Sequence, residues 1–390
     1  MTAGLGADSK TDILVTGASG FIGAAVVREL VGRGAGARLR VLVRRPMPAW
    51  MADAGVAEWR GDLTSATGLA GACTGITTLV HLASHIGDDA ALCTAVNEDG
   101  TRNMLAEAHR AGVRRPLYLS TCAVYRDGDH RGAVESVRLP DGAVAAGGGS
   151  ALVTGPLGGC SSPGGELALV TGPLAGGSSA GGASVPVTGY WSPSGASALV
   201  TDPASATSRS RLAAERLVRA AGGVVLRPHL VYGAGDRHVV PTLVRWLRAV
   251  PAWVEGGSAR TSVIAVGDLA KVIAAFALDP GLGRPGEVFH AADPRPVRVR
   301  SLLTSVCEAL DLPVPAADLR LDEHRARTRA ALAWLSEHQY SLLTRDHWYE
   351  SSRVWARTGE SPGPGLTARL AEAAYWYREV LGIKESVVRI

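Results

Sequence analysis

The segment from residue 12 to residue 31 constrains the fold of this chain more than any other. An apolar run at 12–16 predicts a buried strand, a glycine-rich turn follows, and residues 24–31 (AAVVRELV) predict a helix. A dinucleotide phosphate site requires this order, with Gly17 for the tight turn, Gly20 for approach of the pyrophosphate and Gly23 for helix–strand packing. The candidate phosphate-binding loop therefore comprises Gly17, Ser19, Gly20, Phe21, Ile22 and Gly23.

Further strands and helices alternate along the first half of the chain. Strands are predicted at 38–43, 59–63, 78–82 and 116–120, with a helix at 97–111. This alternation predicts an α/β fold with a parallel, doubly wound sheet. The second strand ends in Arg44 and Arg45, where an NAD site usually has an acid. Arginine suits a 2′-phosphate, which favours NADP (NADPH) over NAD; a solvated basic strand end is the alternative.

Composition excludes several classes of protein. The chain has 390 residues, of which 46% are hydrophobic and 19% charged, so extensive disorder is not expected. Its net charge of +4 is too small to indicate a nucleic-acid partner. The five cysteines form no CxxC pair, which argues against a metal site or a disulfide framework. We found no signal peptide and no apolar run approaching the ~18 residues that span a bilayer, so a cytoplasmic protein without a membrane partner is expected.

Several ordered motifs resemble those of the extended short-chain dehydrogenase/reductase superfamily, and more specifically the NAD(P)-dependent epimerase/dehydratase family. They are TGASGFIG (16–23), GDL (61–63), VHLAS (80–84), VNEDGT (96–101), LSTCAVY (119–125), LRPHLVYGAGD (226–236) and SVIAVGDLAKV (262–272). Only about 141–206 lies outside the resemblance. The resemblance implies a Rossmann doubly wound parallel sheet in residues 1–232, interrupted by a Gly-rich insertion at about 141–206. Residues 233–390 would form mainly a smaller C-terminal substrate-binding lobe, with some segments returning to the sheet.

The resemblance also implies roles for individual residues. Asp62 and Leu63 would contact the adenine, and Pro228 would lie near the nicotinamide. Thr121, four residues before Tyr125, falls where the family has its catalytic Ser or Thr. Leu82, Ala83 and Ser84 would line the cofactor path. Structural roles are implied for Asn97, Tyr125 and Asp268.

The resemblance fails at the family's catalytic tyrosine and lysine, which lie four residues apart at the start of a helix. Thr207 and Arg211 occupy these two positions, and none of the three lysines of the chain lies four residues after a tyrosine. Arg211 could still donate hydrogen bonds to the nicotinamide ribose. Thr207 cannot replace a phenol as a proton relay, because an aliphatic hydroxyl is far too weak an acid.

Other groups could supply the proton. His85 follows the fourth strand at the edge where ligands bind in such sheets, and it is otherwise a surface loop histidine. His229 directly follows Pro228, near the expected position of the nicotinamide, and it is otherwise a packed histidine. Tyr190, in the insertion, could swing in as a lid residue or be an ordinary loop aromatic. Water, or an acidic group of the substrate itself, is a further source.

Three functions follow. The first is an NADPH-dependent ketoreductase acting on a polyketide-like secondary metabolite, for example in antibiotic biosynthesis, with a non-standard proton source. The second is a sugar-type epimerase or dehydratase, and the third a non-catalytic NADP-binding regulatory or interaction protein. A small-molecule substrate is expected, and four tryptophans among the last 57 residues would suit a large aromatic one, although helix packing explains them equally well. A homodimer is an open alternative to a monomer.

The insertion is rich in glycine and repetitive. Sixteen of the 48 glycines fall between residues 141 and 200, and ALVTGPL occurs at 151–157 and again at 168–174. Low charge with Gly, Ser and Pro favours a mobile lid or surface excursion. The ALVT units are nevertheless β-prone and could pair as short strands.

Overall fold

Seven parallel strands form the central sheet of the structure, a computed structural model that describes residues 11–135, 137–138, 144–145, 199–279 and 281–383. Numbered along the chain and given in spatial order, they are β15 (Val288–Ala291), β10 (Val224–Pro228), β5 (Arg115–Leu119), β4 (Thr78–His81), β1 (Ile13–Thr16), β2 (Leu39–Val43) and β3 (Ala57–Arg60). The strand order reverses between β1 and β4, which creates the crevice where doubly wound sheets bind their ligands. The predicted Rossmann α/β fold is confirmed.

Helices cover both faces of this sheet. They are α1 (Phe21–Gly32), α2 (Ala49–Asp53), α3 (Ala66–Leu69), α4 (Ala90–Cys93), α5 (Gly100–Arg110), α6 (Ala206–Ala220), α7 (Val239–Ala249), α8 (Val266–Leu278), α9 (Val299–Leu310), α10 (Leu321–Ala331), α11 (Glu337–Thr344), α12 (Ser352–Thr358) and α13 (Leu366–Leu381). On one face α1 packs against α8, and on the other α5 packs against α3 and α6. Because both faces are covered, the inner strands are continuous apolar runs, as in Ile13–Thr16, which is buried throughout.

Shorter strands lie outside the central sheet. One sheet has the order β16 (Val297–Arg298), β13 (Arg260–Thr261), β18 (His347–Tyr349) and β6 (His130–Ala133). Two pairs are β11 (Leu230–Tyr232) with β14 (Val263–Ala265), and β12 (Ala252–Val254) with β17 (Ala317–Leu319). A small sheet joins β7 (Val137–Arg138) to β8 (Val144–Ala145) and β9 (Leu199–Val200). Residues 199–200 belong to the last ALVT unit, so this unit does form a short strand.

The observed elements differ from the predicted ones mainly at their ends. The predicted third strand ends at Arg60, because residues 61–65 turn around the Asp62 side chain. The predicted helix at 97–111 is α5, preceded by the π-helical segment Thr94–Asp99 that connects it to α4.

The C-terminal aromatic residues mostly pack within the protein. Trp355 is buried and donates a hydrogen bond from Nε1 to the carbonyl of Ala292 over 2.8 Å. Tyr377 is fully buried and donates to Asp236. Packing therefore accounts for these side chains, whereas Trp334 is half exposed.

The chain divides into two compact units, residues 1–148 with 196–390, and residues 149–195. The second unit, with Tyr190 and the ALVTGPL repeats, lies outside the described residues. The predicted division at residue 232 stays a prediction.

Candidate active site

The phosphate-binding loop has the geometry that its three glycines predict. Gly17 has a φ of +71°, and a Cβ there would lie 2.7 Å from the backbone nitrogen of Ala83. A Cβ on Gly23 would lie 2.0 Å from the carbonyl oxygen of Gly17, so only glycine lets α1 pack this closely. Gly20 caps α1 without any side-chain hydrogen bond. The first N–H groups of the helix are thus left for an anion.

The ends of β2 and β3 bring the predicted adenosine-binding residues together. Nη1 of Arg44 lies 4.0 Å from a carboxylate oxygen of Asp62, and Arg44 and Arg45 are both exposed. Hydrogen bonds from Thr64, with Arg44 nearby, hold the pKa of Asp62 below its usual value. Leu63 is buried, and it packs against α5.

A buried polar chain, which sequence reasoning missed, fixes the end of β4. The N–H groups of Leu82 and Ala83 donate to Thr16 Oγ1, each over 3.2 Å. The Thr16 hydroxyl lies 2.7 Å from His81 Nδ1, and His81 Nε2 lies 2.9 Å from Thr101 Oγ1. Burial lowers the pKa of His81 to about 4, so its ring is neutral. Because Thr101 donates to the carbonyl of Asn97, His81 donates from Nε2 and accepts at Nδ1.

The loop after β4 is fixed by two side chains. Asn97 accepts from the His85 N–H over 2.7 Å and donates to the His85 carbonyl over 3.0 Å. Thr207 accepts from the Gly87 N–H over 3.1 Å and donates to the Gly87 carbonyl over 2.9 Å. Thr207, which we predict to occupy the family's tyrosine position, thus donates its only hydroxyl proton to the backbone of the loop.

Thr121 and Arg211 meet at the end of β5. Thr121 Oγ1 accepts from the N–H of Ala123 over 3.2 Å, which leaves its own proton free to be donated. Nη2 of Arg211 donates to the carbonyls of Leu119 and Ser120 over 2.6 and 2.8 Å. Arg211, which we predict to occupy the family's lysine position, therefore holds the backbone next to Thr121.

His229 follows β10 and lies among aromatic side chains. Its ring stacks on that of His347, with centroids 5.9 Å apart, and approaches Tyr349 at 5.3 Å. Burial, and then the surrounding histidines, hold the pKa of His229 well below its usual value. His229 is therefore a neutral imidazole. Pro228, at the end of β10, is buried.

A buried ionic network lies behind this part of the site. Arg227 donates to both carboxylate oxygens of Glu215 and, over 2.5 Å, to the hydroxyl of Tyr125. Tyr125 in turn lies 2.6 Å from Nε2 of His290. Burial raises the pKa of Tyr125 and lowers that of His290 to about 3. Tyr125 is only 2% exposed, which fits the structural role that the sequence assigns to it.

The predicted site residues follow the carboxyl ends of six neighbouring strands. Asp62 follows β3, Arg44 follows β2, Gly17 follows β1, His85 follows β4, and Thr121 and His229 follow β5 and β10. The register that pairs Leu119 with Leu226 brings the last two strand ends side by side. The polar pair Thr16 and His81, opposite each other at the ends of apolar strands, was the sequence signal for the missed chain.

Unpartnered buried atoms at the same edge fit a polar ligand. Within the described ranges, Ser84 Oγ, Arg211 Nε and His229 Nε2 are buried without a hydrogen-bond partner. Together with the glycine loop, these atoms suit a dinucleotide cofactor. A cavity of about 600 Å³ lies instead at the opposite edge of the sheet, beside Ile76 and Ala111.

Neither a metal site nor a membrane helix is found in the part of the chain that the structure describes. No group of three or more His, Cys, Asp and Glu side chains there could hold a metal ion. No helix there is both long enough and apolar enough to cross a bilayer.

Comparison with known proteins places the chain among nucleotide-dependent enzymes. The sequence model of the NAD dependent epimerase/dehydratase family matches residues 13–142. The chain is 28% identical to the 4-hydroxy-2-methyl-3-oxo-4-farnesyl-3,4-dihydroquinoline-1-oxide ketoreductase of Stigmatella aurantiaca, over 80% of this chain and 77% of that protein. It is 26% identical to the 2-alkyl-3-oxoalkanoate reductase of Stenotrophomonas maltophilia, over 94% and 90%.

Among solved structures, a double mutant of the dTDP-glucose 4,6-dehydratase of Streptomyces venezuelae, with NAD and DAU bound, has a similar fold. The TM-score is 0.62 at 19% identity, over 95% of this chain and 98% of the other. This likeness concerns the fold alone.

Proposed function

We propose that this chain, whose residues 13–142 match the sequence model of the NAD dependent epimerase/dehydratase family, is an NADPH-dependent ketoreductase of the extended short-chain dehydrogenase/reductase type. The proposed substrate is the carbonyl group of a polyketide-like secondary metabolite. The observation that carries the proposal is the free proton of Thr121 at the end of β5, beside the strand end that carries His229. Two relatives named as a ketoreductase and a reductase support this choice.

The glycine loop and the neighbouring strand ends would hold the cofactor. Gly17, Gly20 and Gly23 would bind the pyrophosphate, and Arg44 the 2′-phosphate. Asp62 and Leu63 would contact the adenine, and Leu82, Ala83 and Ser84 would line the path towards Pro228. The bound cofactor would supply the hydride.

Thr121 would orient the substrate carbonyl. Its hydroxyl accepts from Ala123 and can donate its own proton to a further acceptor, which a ketone oxygen provides. Arg211 keeps the strand end in place through Leu119 and Ser120, and its unpartnered Nε could reach a ribose hydroxyl. A hydroxyl as weakly acidic as that of threonine cannot be the final proton source, so we assign that role to water, His85 or an acidic group on the substrate.

A matched pair of ketones tests the function and its proton source. NADPH oxidation would be followed with ortho-hydroxyacetophenone and with its ortho-methoxy ether. If the substrate supplies the proton, the phenol is reduced at least about tenfold faster, because only the phenol has a proton beside the carbonyl. Equal rates would assign the proton to water or the protein. No oxidation with either compound, or with the ketones of the neighbouring biosynthetic steps, would contradict ketone reduction.

Two variants test the assigned residues. Thr121→Ala should lower kcat/KM by about a hundredfold, the lower end of the range for such groups, while Thr121→Ser should retain most of it. His85→Ala should lower kcat only if His85 supplies the proton. Unchanged turnover in the combined Thr121→Ala and His85→Ala variant would refute the assignment.

The arginine after β2 tests the preference for NADPH. Arg44→Ala should raise the KM for NADPH about tenfold or more and leave that for NADH unchanged, because only NADPH has the 2′-phosphate. Arg45→Ala tests the alternative, in which the next exposed arginine binds the 2′-phosphate. Equal KM values for the two cofactors in the wild-type protein would contradict the preference.

Measurements of NADPH binding distinguish the other two proposed functions from ketone reduction. An epimerase or dehydratase must return the hydride within one catalytic cycle, so it would retain its cofactor through gel filtration. Failure to bind NADPH, measured by fluorescence titration, would favour a non-catalytic interaction protein.

A further inference from the structure

Ile86 lies between two residues whose backbones are both fixed. The N–H and carbonyl of His85 are hydrogen-bonded to Asn97, and those of Gly87 to Thr207. Asn97 is itself 1% exposed and held by Ser210, so the support comes from the protein interior. Four hydrogen bonds thus fix a loop of three residues directly after β4.

The side chain on this fixed backbone is exposed and apolar. Ile86 is 60% exposed, the highest exposure among the large aliphatic side chains described. Fixing a loop costs conformational entropy, and an isoleucine exposed to water does not contribute the free energy of burying its apolar surface. Both costs are offset when the side chain on the fixed loop contacts an apolar ligand, because a preorganised loop loses little further backbone entropy on binding.

The loop lies at the edge of the sheet where doubly wound folds bind their ligands, which points to the substrate as the ligand of Ile86. Residues 82–87 run from the end of β4, beside the reversal of strand order, to the hydroxyl of Thr207 at the start of α6. Asp88 and Asp89, which follow, are exposed carboxylates and leave Ile86 as the apolar contact of this segment.

We propose that Ile86 contacts the hydrocarbon part of the substrate next to its carbonyl, and that Thr207 is the positioning residue that holds Ile86 there. This inference rests on the proposed function only in taking the ligand to be a ketone. The threonine in the family's tyrosine position then serves substrate selection instead of proton transfer.

Binding of simple ketones to the protein loaded with NADP⁺ tests the inference without any turnover. The dissociation constants of octan-2-one and butan-2-one would be measured by calorimetry, since a ketone cannot react with the oxidised cofactor. The wild-type protein should bind octan-2-one more tightly, and Ile86→Ala should weaken that binding about tenfold, as expected for losing contact with a few methylene groups. Binding of butan-2-one should change less than about twofold. Val314→Ala, which truncates another exposed apolar loop residue, is the control.

The role of Thr207 has its own readout. Thr207→Val should increase hydrogen exchange at the Gly87 amide and weaken octan-2-one binding, whereas Thr207→Ser should restore both. Combining Thr207→Val with Ile86→Ala should add little to Ile86→Ala alone, because both changes remove the same contact.

Two results would overturn the inference: equal affinity of wild-type protein and Ile86→Ala for octan-2-one, or additive effects in the double variant. The proposed function fails separately, if ketones bind in an Ile86-dependent way and NADPH reduces none of them.

Discussion

Burial lowers the pKa of six histidines, and this makes stability depend on pH; they are His81, His130, His229, His290, His324 and His347. Burial lowers the pKa of His81 and His347 to about 4 and that of His290 to about 3. Each is at most 2% exposed. Because their pKa values in the unfolded chain are near ~6.5, the unfolded chain binds protons first as the pH falls. Their contribution to stability is therefore complete above about pH 6.5 and is lost towards about pH 4.

Unfolding in urea at several pH values measures this effect. Between about pH 6.5 and pH 5, each histidine should lower the free energy of unfolding by about 2 kcal/mol. Hydrogen bonds and ion pairs with arginine lower the pKa of Glu215 and Glu287, so these carboxylates titrate below this interval. His81→Gln removes one of these six titrating groups and should reduce the slope by about a sixth. A free energy of unfolding that stays constant across this interval would show that these imidazoles are not buried neutral.

At the residue scale, the sequence shows that the tyrosine–lysine pair is absent, because no tyrosine is followed by a lysine four residues later. It does not show which contacts the residues in its place make. That Thr207 instead bonds Gly87, and Arg211 the carbonyls of Leu119 and Ser120, depends on contacts between segments about a hundred residues apart. No local pattern encodes such contacts.

At the scale of elements, α1 contains two glycines with opposite surroundings. A Cβ on Gly23 would lie 2.0 Å from the Gly17 carbonyl, whereas one on Gly32 would meet nothing within 4 Å. Gly23→Ala should thus displace the phosphate-binding loop, weaken NADPH binding at least about tenfold and destabilise the fold by about 1–3 kcal/mol. Gly32→Ala, the control in the same helix, should stabilise the fold by about 0.5–1 kcal/mol.

Fluorescence titration of NADPH and thermal unfolding of both variants measure these effects. Unchanged NADPH affinity in Gly23→Ala would contradict the role of this glycine. Periodicity predicted α1 and its glycine turn because both are local. It did not reveal the π-helical segment Thr94–Asp99, whose position depends on where Asn97 must point to reach His85 and Ser210.

At the scale of the whole molecule, the alternation of strands and helices predicts the parallel sheet. Each helix covers one face of the sheet and returns the chain to the edge where the next parallel strand begins. The motifs after five strands predict that the site residues share one edge. The return of a C-terminal strand, β15, to the sheet is predicted only from the resemblance to the family, not from the pattern of the residues. The insertion does not disturb this order, since β7, which precedes it, pairs in parallel register with β9, which its last ALVT unit forms.

This pairing leads to a prediction about the chain between them. Leu199 lies opposite Val137 in the register, so the two ends of the inserted segment start from neighbouring strands. Joining Gly148 directly to Ala196 should therefore leave the melting temperature of the remaining unit unchanged or slightly raised. A shorter loop costs less closure entropy, by about 1 kcal/mol or less, because this cost grows only logarithmically with length.

An insert of scrambled sequence and equal length is the control. If the deleted protein no longer folds, the segment contributes to the core. If it folds but loses kcat/KM while the scrambled insert does not restore it, the repeats act in the reaction, as expected for a lid.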